Sequence, residues 1–524
     1  MTAGWNEAVP LDRLEAEGRA VVRLGGKQIA LFVTPEGIKA CNNRCPHEGY
    51  PLREGSLDDC ILTCNWHNWK FDLTDGSNLL GGDRLRTYPV EVRDGQVWVE
   101  IVDPPEETRR AEIMDSLADA FQDNDYARMA RELARFARLS GDPLDTVRQA
   151  VLWSFDRMEF GTTHAYAASA DWLTLYEAHT GDAETQLICL LESIGHMADD
   201  VLREQRYPFA EETAPYDEDS FVAAVEREDE AAAVAMVRGS FESGLRYPDL
   251  ERGLGRAALA HYNDFGHSLI YVLKTGQLID RLGDAAAMPL TLALTRSLVY
   301  ASREDQIPEF RRYASALEAW RGEGNGAEPS AEGLRGQNIR HALETVVGWS
   351  GAPAADLYRA LLNANAWNLL HYDDSYQTRA DLPLKDNIGW LDFTHGITFA
   401  NAVRRLCGKY PELWPAGLLQ MACFVGRNAP YTDASLDVDD WRVDDHDGFF
   451  AAAVDRLFDH GQGEFIISAH LIKTALAARE ECEAGMSDGG MVTAGLYRFL
   501  NSPLKRRHAR RTMRQAIDFV SLDG

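Results

Sequence analysis

The sequence predicts an α+β multidomain protein in which a small all-β domain precedes a large all-α domain. Three observations predict it. Apolar and polar side chains alternate in short runs through residues 1–102. A charged, proline-rich segment, Asp103-Pro-Pro-Glu-Glu-Thr-Arg109, follows them. Beyond about residue 110, apolar residues recur at three- and four-residue spacing.

The β elements come first. Period-two runs fall at 19–24, 28–33, 60–64, 89–92 and 96–100, and turn signals divide them at Gly25-Gly26, Glu36-Gly37, Asp75-Gly76 and Asp94-Gly95. The helical texture opens with 113–121 and 127–136 and continues to the C-terminus. The expected domains are therefore 1–104 and 105–524, the second a single helical body. Residues 322–330 (GEGNGAEPS) read as a loose surface loop.

Composition narrows the function. A formal net charge of −29 disfavours nucleic acid as a partner for the whole chain. The basic tract 505–514 reads as an arginine-rich helix ion-paired to an acidic body. No apolar run reaches the ~18 residues of a membrane span, and the N-terminus is polar, so no membrane association and a cytoplasmic location are expected. Cysteines stand at 41, 45, 60, 64, 189, 407, 423 and 482. A disulfide framework is not expected in such a chain, and Cys189, Cys407 and Cys423 read as small buried hydrophobes.

Two motifs carry chemistry in the β region. Cys45-Pro-His47 and Cys64-Asn-Trp-His67 stand sixteen residues apart. Two Cys-plus-His pairs suit zinc, but a Rieske [2Fe–2S] cluster needs two thiolates on one iron and two imidazoles on the other. Two facing β-loops, each giving one thiolate and one imidazole, meet that need. Cys45 and Cys64 would hold the inner iron, and His47 and His67 the outer one. On these pairs, and on Gly55-Ser-Leu, Trp66, Trp69, Phe71-Asp72 and Thr74-Asp-Gly76, residues 1–102 resemble the Rieske ferredoxin family. Cys41 and Cys60 do not match the extra cysteine pair of respiratory-complex Rieske proteins, so the resemblance is to the soluble, disulfide-free type. Imidazoles in place of thiolates raise the potential to roughly −150 to +300 mV, and such a domain moves single electrons.

An electron carrier fused to a long helical body implies an acceptor there. The Asp-x-x-His-x4-His site of ring-hydroxylating oxygenases is missing: His261 and His267 have five residues between them. His179, His446 and His508 sit among charged or turn residues and read as surface, while His341 and His371 fit either environment. His164, His267, His395 and His470 sit in apolar helical frames. A hydrogen-bonded core role is the ordinary fate of any one of them. Four together, fused to an electron donor, point to a metal. Lysine is scarce, 8 against 45 arginines, yet Lys473 shares a helix face with His470. Buried, it would lose its proton and could add carbon dioxide to give a carbamate, an anionic oxygen ligand. Otherwise it would snorkel to solvent or pair with Glu464.

Thr163-His164, Phe265-Gly-His267-Ser-Leu-Ile, His395-Gly-Ile-Thr-Phe-Ala and His470-Leu-Ile-Lys473 resemble the questin oxidase-like family of helical aromatic-polyketide oxygenases. The resemblance implies a mononuclear non-haem iron, Fe(II), held by His164, His267, His395, His470 and a carbamylated Lys473. Ala165-Tyr166 replaces the family's Gly-Pro, and a Rieske fusion is not typical of it. A second constellation competes: Asp264/His267, Asp392/His395 and Glu192/His196 each put a carboxylate one turn from a histidine, as di-iron carboxylate sites or outer-shell pairs do.

The expected function is an iron-dependent oxygenase that uses O2 and electrons from its own cluster to hydroxylate or oxidatively cleave an organic, aromatic or polyketide-like small molecule. The alternatives are a di-iron oxygenase on the same helices and a non-enzymatic redox relay or sensor. Tyr166, Trp172, Tyr262, Tyr271 and Phe399 could line an aromatic pocket. No G-x-G-x-x-G follows a strand, so an NAD(P)H-dependent reductase, a ferredoxin or both are expected as donors, with a basic contact surface to suit this acidic chain. A homo-oligomer is expected, with electrons crossing between subunits if the two centres lie far apart in one chain.

Overall fold

The computed structural model describes residues 4–502 and 509–521. The chain forms two compact units, Met1–Pro143 and Leu144–Gly524. Secondary structure changes from strand to helix at Pro104-Pro105, whereas the units divide at Pro143-Leu144. Two helices, Glu106–Gln122 and Tyr126–Phe136, thus belong to the unit that holds the strands.

The first unit is built from three antiparallel sheets. Its central strand, Lys27–Thr34, pairs with Arg19–Leu24 on one side and Gly37–Asn42 on the other. The strand is apolar on both faces because each face covers a core. Ala30 and Phe32 pack with Leu62, Phe71 and the cysteines 45 and 64, whereas Ile29 and Leu31 pack with Val9, Val97 and Val99. Asp94 (φ 47°) and Gly95 (φ 76°) join Val90–Arg93 to Gln96–Glu100 through two left-handed residues, as a two-residue hairpin loop requires. The small sheet Ser56–Asp58, Ile61–Thr63 and Lys70–Asp72 carries the second Cys/His loop between its last two strands. Tyr126–Phe136 is capped by Asp125, which accepts from the Arg128 amide. It is tied to the strands' unit by Arg131 and Arg135, both paired with the fully buried carboxylate of Asp83.

The described part of the second unit is helical apart from one isolated bridge, Tyr372 with Thr432. His164–Ala178 packs on Ala183–Asp200, on His267–Leu282 and on Phe465–Glu483; Trp390–Lys409 packs on the last two. Buried Ala165, Ala167, Ala168 and Ala170 let the neighbouring backbones approach closely. These helices expose little polar surface, so their periodicity reads as core on most sides. Residues 322–328 are exposed, 329 and 330 half-buried, and all nine lack regular structure apart from bends. Among the described residues no helix is long and apolar enough to cross a membrane. His508 and residues 505–507 lie outside the described residues. In the helix Ala509–Ser521, Arg511 donates to the Gln377 carbonyl at 2.7 Å.

Candidate functional site

The two Cys/His loops of the first unit share one backbone design. The Cys45 amide donates to the Tyr50 carbonyl (2.9 Å) and the Gly49 amide returns to the Cys45 carbonyl (2.8 Å). In the second loop the Cys64 amide donates to Trp69 (2.7 Å) and the Asn68 amide returns to Cys64 (2.9 Å). Each loop closes through a left-handed residue, Gly49 (φ 81°) or Asn68 (φ 61°), the types that tolerate it. The result points the cysteines inward and the imidazoles outward. Cys45 and Cys64 are buried and not disulfide-bonded; His47 is half-buried and His67 exposed. The imidazole centroids lie 4.7 Å apart, with Trp69 stacked on His47 at 4.4 Å and Trp66 on His67 at 5.1 Å.

The donor set fits the cluster. Burial, with Cys64 alongside, pushes the Cys45 thiol up to about 11, so as a free thiol it is inert and only metal binding would ionise it. His47 Nδ1 is buried with no hydrogen-bond partner, as a ligand nitrogen would be. Glu48 stands 4.0 Å and 3.8 Å from the Nε2 atoms of His47 and His67.

The second unit brings His164, His267, His395 and His470 together, with one donor atom of each within 4.8 Å of the others. His267 Nε2 faces His164 Nε2 at 3.1 Å, and His470 Nε2 faces His395 Nε2 at 3.3 Å. Adjacent imidazoles sharing one metal at about 2.1 Å would hold their nitrogens roughly 3 Å apart. Three of the rings are buried, while His164 keeps partial exposure.

Local sequence explains each placement. Thr163 caps the helix that His164 opens, accepting from the Ala165 amide. His267 opens its helix after Phe265 (φ 51°) and Gly266 (φ 77°). A Cβ on Gly266 would lie 2.5 Å from Phe399 Cδ2, so both the backbone angle and the space demand glycine there. Phe265 has no such licence, and its left-handed conformation is strain stored one residue before Gly266. His470 donates from Nδ1 to the Ile466 carbonyl at 2.6 Å, which leaves Nε2 with its lone pair. The Tyr271 hydroxyl lies 3.3 Å from His164 Nδ1.

Burial disfavours the charged forms of His164, His395, His470 and Lys473. Burial, then the neighbouring Lys473, holds His164 and His470 well below the usual imidazole range; for His395 the causes are burial, then His267. Lys473 is fully buried, and its Nζ has no hydrogen-bond partner. Burial lowers its amine to about 7 against the opposing pull of Asp171. It neither snorkels nor ion-pairs with Glu464, the two ordinary readings of a lysine in this frame.

Two of the three competing carboxylates, Asp392 and Glu192, are engaged elsewhere. Asp392 accepts from the Gly389 amide (2.8 Å) and from Arg427 (3.2 Å), as the cap of its helix. Glu192 accepts from His460 at 3.0 Å, and His196 stacks on Phe465. The Asp264 side chain lies outside the described residues. Of the five aromatic candidates, Tyr271 is the one whose hydroxyl approaches a cluster histidine; Tyr166 bonds Ser154, and Phe399 packs on Phe424. His179 and His446, read as surface, are half-buried and bonded to Leu175 and Thr493. His341 is exposed, and His371 stacks on Trp367.

Sequence reasoning passed over His460 and the arginines 131 and 135, because their partners Glu192 and Asp83 are 268 and 48 or more residues away. It also left out Asp200, whose carboxylate accepts from Thr163 at 2.5 Å beside the first histidine.

Comparison with known proteins bears on the first unit. Residues 4–89 match the Rieske [2Fe-2S] domain model. The chain is 35% identical over 117 residues to 4beta-methylsterol monooxygenase of Methylococcus capsulatus, covering 20% of this chain and 32% of that enzyme. It is 31% identical over 104 residues to the ferredoxin component of the naphthalene 1,2-dioxygenase/salicylate 5-hydroxylase systems of a Ralstonia species, covering 19% of this chain and 99% of that protein. Among solved structures, the ferredoxin of carbazole 1,9a-dioxygenase from Nocardioides aromaticivorans covers 19% of this chain and 100% of its own, at 20% identity and a TM-score of 0.18. The paired loops, their outward imidazoles, the domain model and the Ralstonia ferredoxin component agree, and through residues 4–89 the chain belongs to the Rieske [2Fe-2S] domain family.

Proposed function

We propose that this chain is a Rieske-linked, iron-dependent oxygenase, with electrons entering at the [2Fe–2S] domain and used at a metal held in the helical unit. The observation that carries the reading is the convergent cage of four histidines, three of them buried, beside a fully buried lysine with no partner. An unpaired buried amine is expensive, and imidazole nitrogens turned toward one another in a core are what a ligand set offers a metal.

His164, His267, His395 and His470 would hold the metal, with Lys473, as a carbamate, supplying an anionic oxygen. Imidazoles suit several first-row metals; the fused one-electron donor favours iron. Iron bound there would supply reductive activation of O2 at the expense of the cluster's electrons. The remaining residues position and protect. His470 is held in one tautomer by the Ile466 carbonyl, Tyr271 steadies the His164 ring, and the apolar helices keep water from the centre. The partial exposure of His164 marks the side from which O2 and an organic substrate would approach. The occupation of Asp392 and Glu192 elsewhere supports one metal rather than two.

The partial likeness to 4beta-methylsterol monooxygenase, about a third of that enzyme, supports oxygenase chemistry in general terms. The substrate class proposed, an aromatic or polyketide-like molecule, rests on the questin oxidase-like motifs. A ferredoxin or reductase would feed the cluster, and the assembly would be a homo-oligomer. The test is a single turnover. Protein with a reduced cluster is mixed with O2, and reoxidation is compared with that of His395→Ala. Reoxidation that slows at least tenfold in the variant supports the oxygenase. Equal rates would leave a redox relay.

A further inference from the structure

Beside the His47 imidazole the first unit opens a cleft of about 650 Å³. Arg44, Arg84, Arg86, Arg131, Arg135 and Arg138 line it, and Glu48 is the acidic side chain among the lining residues. So dense a set of guanidiniums is unexpected in a chain of net charge −29. Half of it comes from the helix Tyr126–Phe136 and the turn after it, beyond the residues 4–89 that match the Rieske domain. The cleft is therefore an addition of this chain to the electron-transfer domain.

The arginines are held in place, and only some of them are neutralised. Arg131 and Arg135 share the buried Asp83, and Arg135 pairs with Glu132 as well. Arg84 donates to the Asp75 carbonyl at 3.1 Å, an uncharged acceptor, while Arg86 donates to the Val102 carbonyl at 2.9 Å and stands 4.0 Å from the Asp103 carboxylate. Arg44 and Arg138 are exposed and have no ion-pair partner among the described residues. The unpaired guanidinium forks of Arg44 and Arg138 are suited to carboxylates, which they bind in bidentate fashion.

We propose that this cleft docks the electron donor, and that the donor is a small iron–sulfur protein with an acidic contact surface. The inference deepens the proposed function by naming the donor's chemistry, and it reverses the basic partner that the net charge of the chain suggests. Net charge misleads here because exposed charges more than about 10 Å away are screened at moderate salt. Beside His47 the cleft lining holds six arginines against one carboxylate, Glu48. Carboxylates on the donor would settle among the arginines with its cluster directed at the His47 edge. One electron then leaves the donor's reduced cluster and enters the oxidised Rieske cluster; no bond forms or breaks.

The test uses the full-length chain with its cluster loaded. Reduction of the Rieske cluster is followed by stopped-flow absorbance, with a reduced [2Fe–2S] ferredoxin of strongly negative net charge as the probe. A ferredoxin of positive net charge and a small uncharged reductant serve as controls. The wild-type rate constant with the acidic probe should fall as salt rises, and Arg44→Glu/Arg138→Glu should lower it roughly tenfold or more. The variant's cluster spectrum and its reduction by the uncharged reductant should not change. A rate with the acidic probe that is insensitive to both salt and the double substitution overturns the proposal. So does faster reduction of the wild type by the basic ferredoxin, or a double variant that loses self-association instead of donor reactivity, which would make a second copy the occupant. Because the readout is the cluster, an empty histidine cage would sink the proposed function and leave this result standing.

Discussion

His470 and His395 meet Nε2 to Nε2 at 3.3 Å, and the Nδ1 of His470 is already committed to the Ile466 carbonyl. The carbonyl can only accept, so His470 Nδ1 carries the proton and its Nε2 presents a lone pair to the cage. A core built for packing alone would not aim such a lone pair at a second imidazole. Tyr271 bears on the cage in the same way through His164. Tyr271→Phe is expected to weaken metal retention about tenfold, measured by competition with a chelator, while the fold stays intact by circular dichroism.

Lys473 separates function from stability. Lys473→Met removes a buried amine with no partner and keeps the volume. The metal-free variant should be more stable than wild type by about 1–3 kcal/mol in urea unfolding. Its metal content should fall. A variant that is both less stable and metal-replete would assign Lys473 to structure.

Gly266 is a position where geometry leaves no choice. Gly266→Ala forces a Cβ to within 2.5 Å of Phe399 at a backbone angle that disfavours side chains. Destabilisation of about 2 kcal/mol or more and a poorly loaded cage are expected, read by thermal melting and metal analysis.

The two centres should be separable. Cys64→Ser removes an inner thiolate and should abolish the Rieske absorbance and electron paramagnetic resonance signals. The second unit should still retain its own metal, since none of its proposed ligands comes from the first unit. Loss of both signals together would contradict independent sites.

Asp200 sets a pH signature. Burial raises its carboxyl from 3.8 to about 6, against the hydrogen bond from Thr163. The folded state then binds the proton more tightly than the unfolded chain. Its contribution is fully present below the unfolded value of about 4 and is lost as pH rises to about 6. The loss is up to roughly 3 kcal/mol. Asp200→Asn should flatten stability over pH 4–6, and a wild-type slope unchanged in the variant would remove Asp200 as the cause.

The sequence made much of this legible because the signals were local. Cys45-Pro-His47 and Cys64-Asn-Trp-His67 carry their ligands within a turn, and Asp94-Gly95 announces its hairpin. The four cage histidines were found from their apolar helical frames, although nothing in the spacing of 164, 267, 395 and 470 says that they meet. What could not be read were pairings made by tertiary packing. Asp83 with Arg131 and Arg135 joins residues whose periodicities are unrelated, so the extension of the first unit through two helices left no trace in the pattern. Asp392 looked like a ligand one turn from His395. A capping carboxylate and a ligating one share that spacing, and the Gly389 amide and Arg427 decide between them.

The central claim is that electrons entering at the [2Fe–2S] domain are used at a metal caged by four imidazoles. Anomalous scattering at the iron edge, measured on crystals of protein purified with its cluster intact, tests it most directly. The account predicts two iron positions at the loops of Cys45 and Cys64 and one more among His164, His267, His395 and His470. Iron at the loops with no metal of any kind among those four histidines would contradict it.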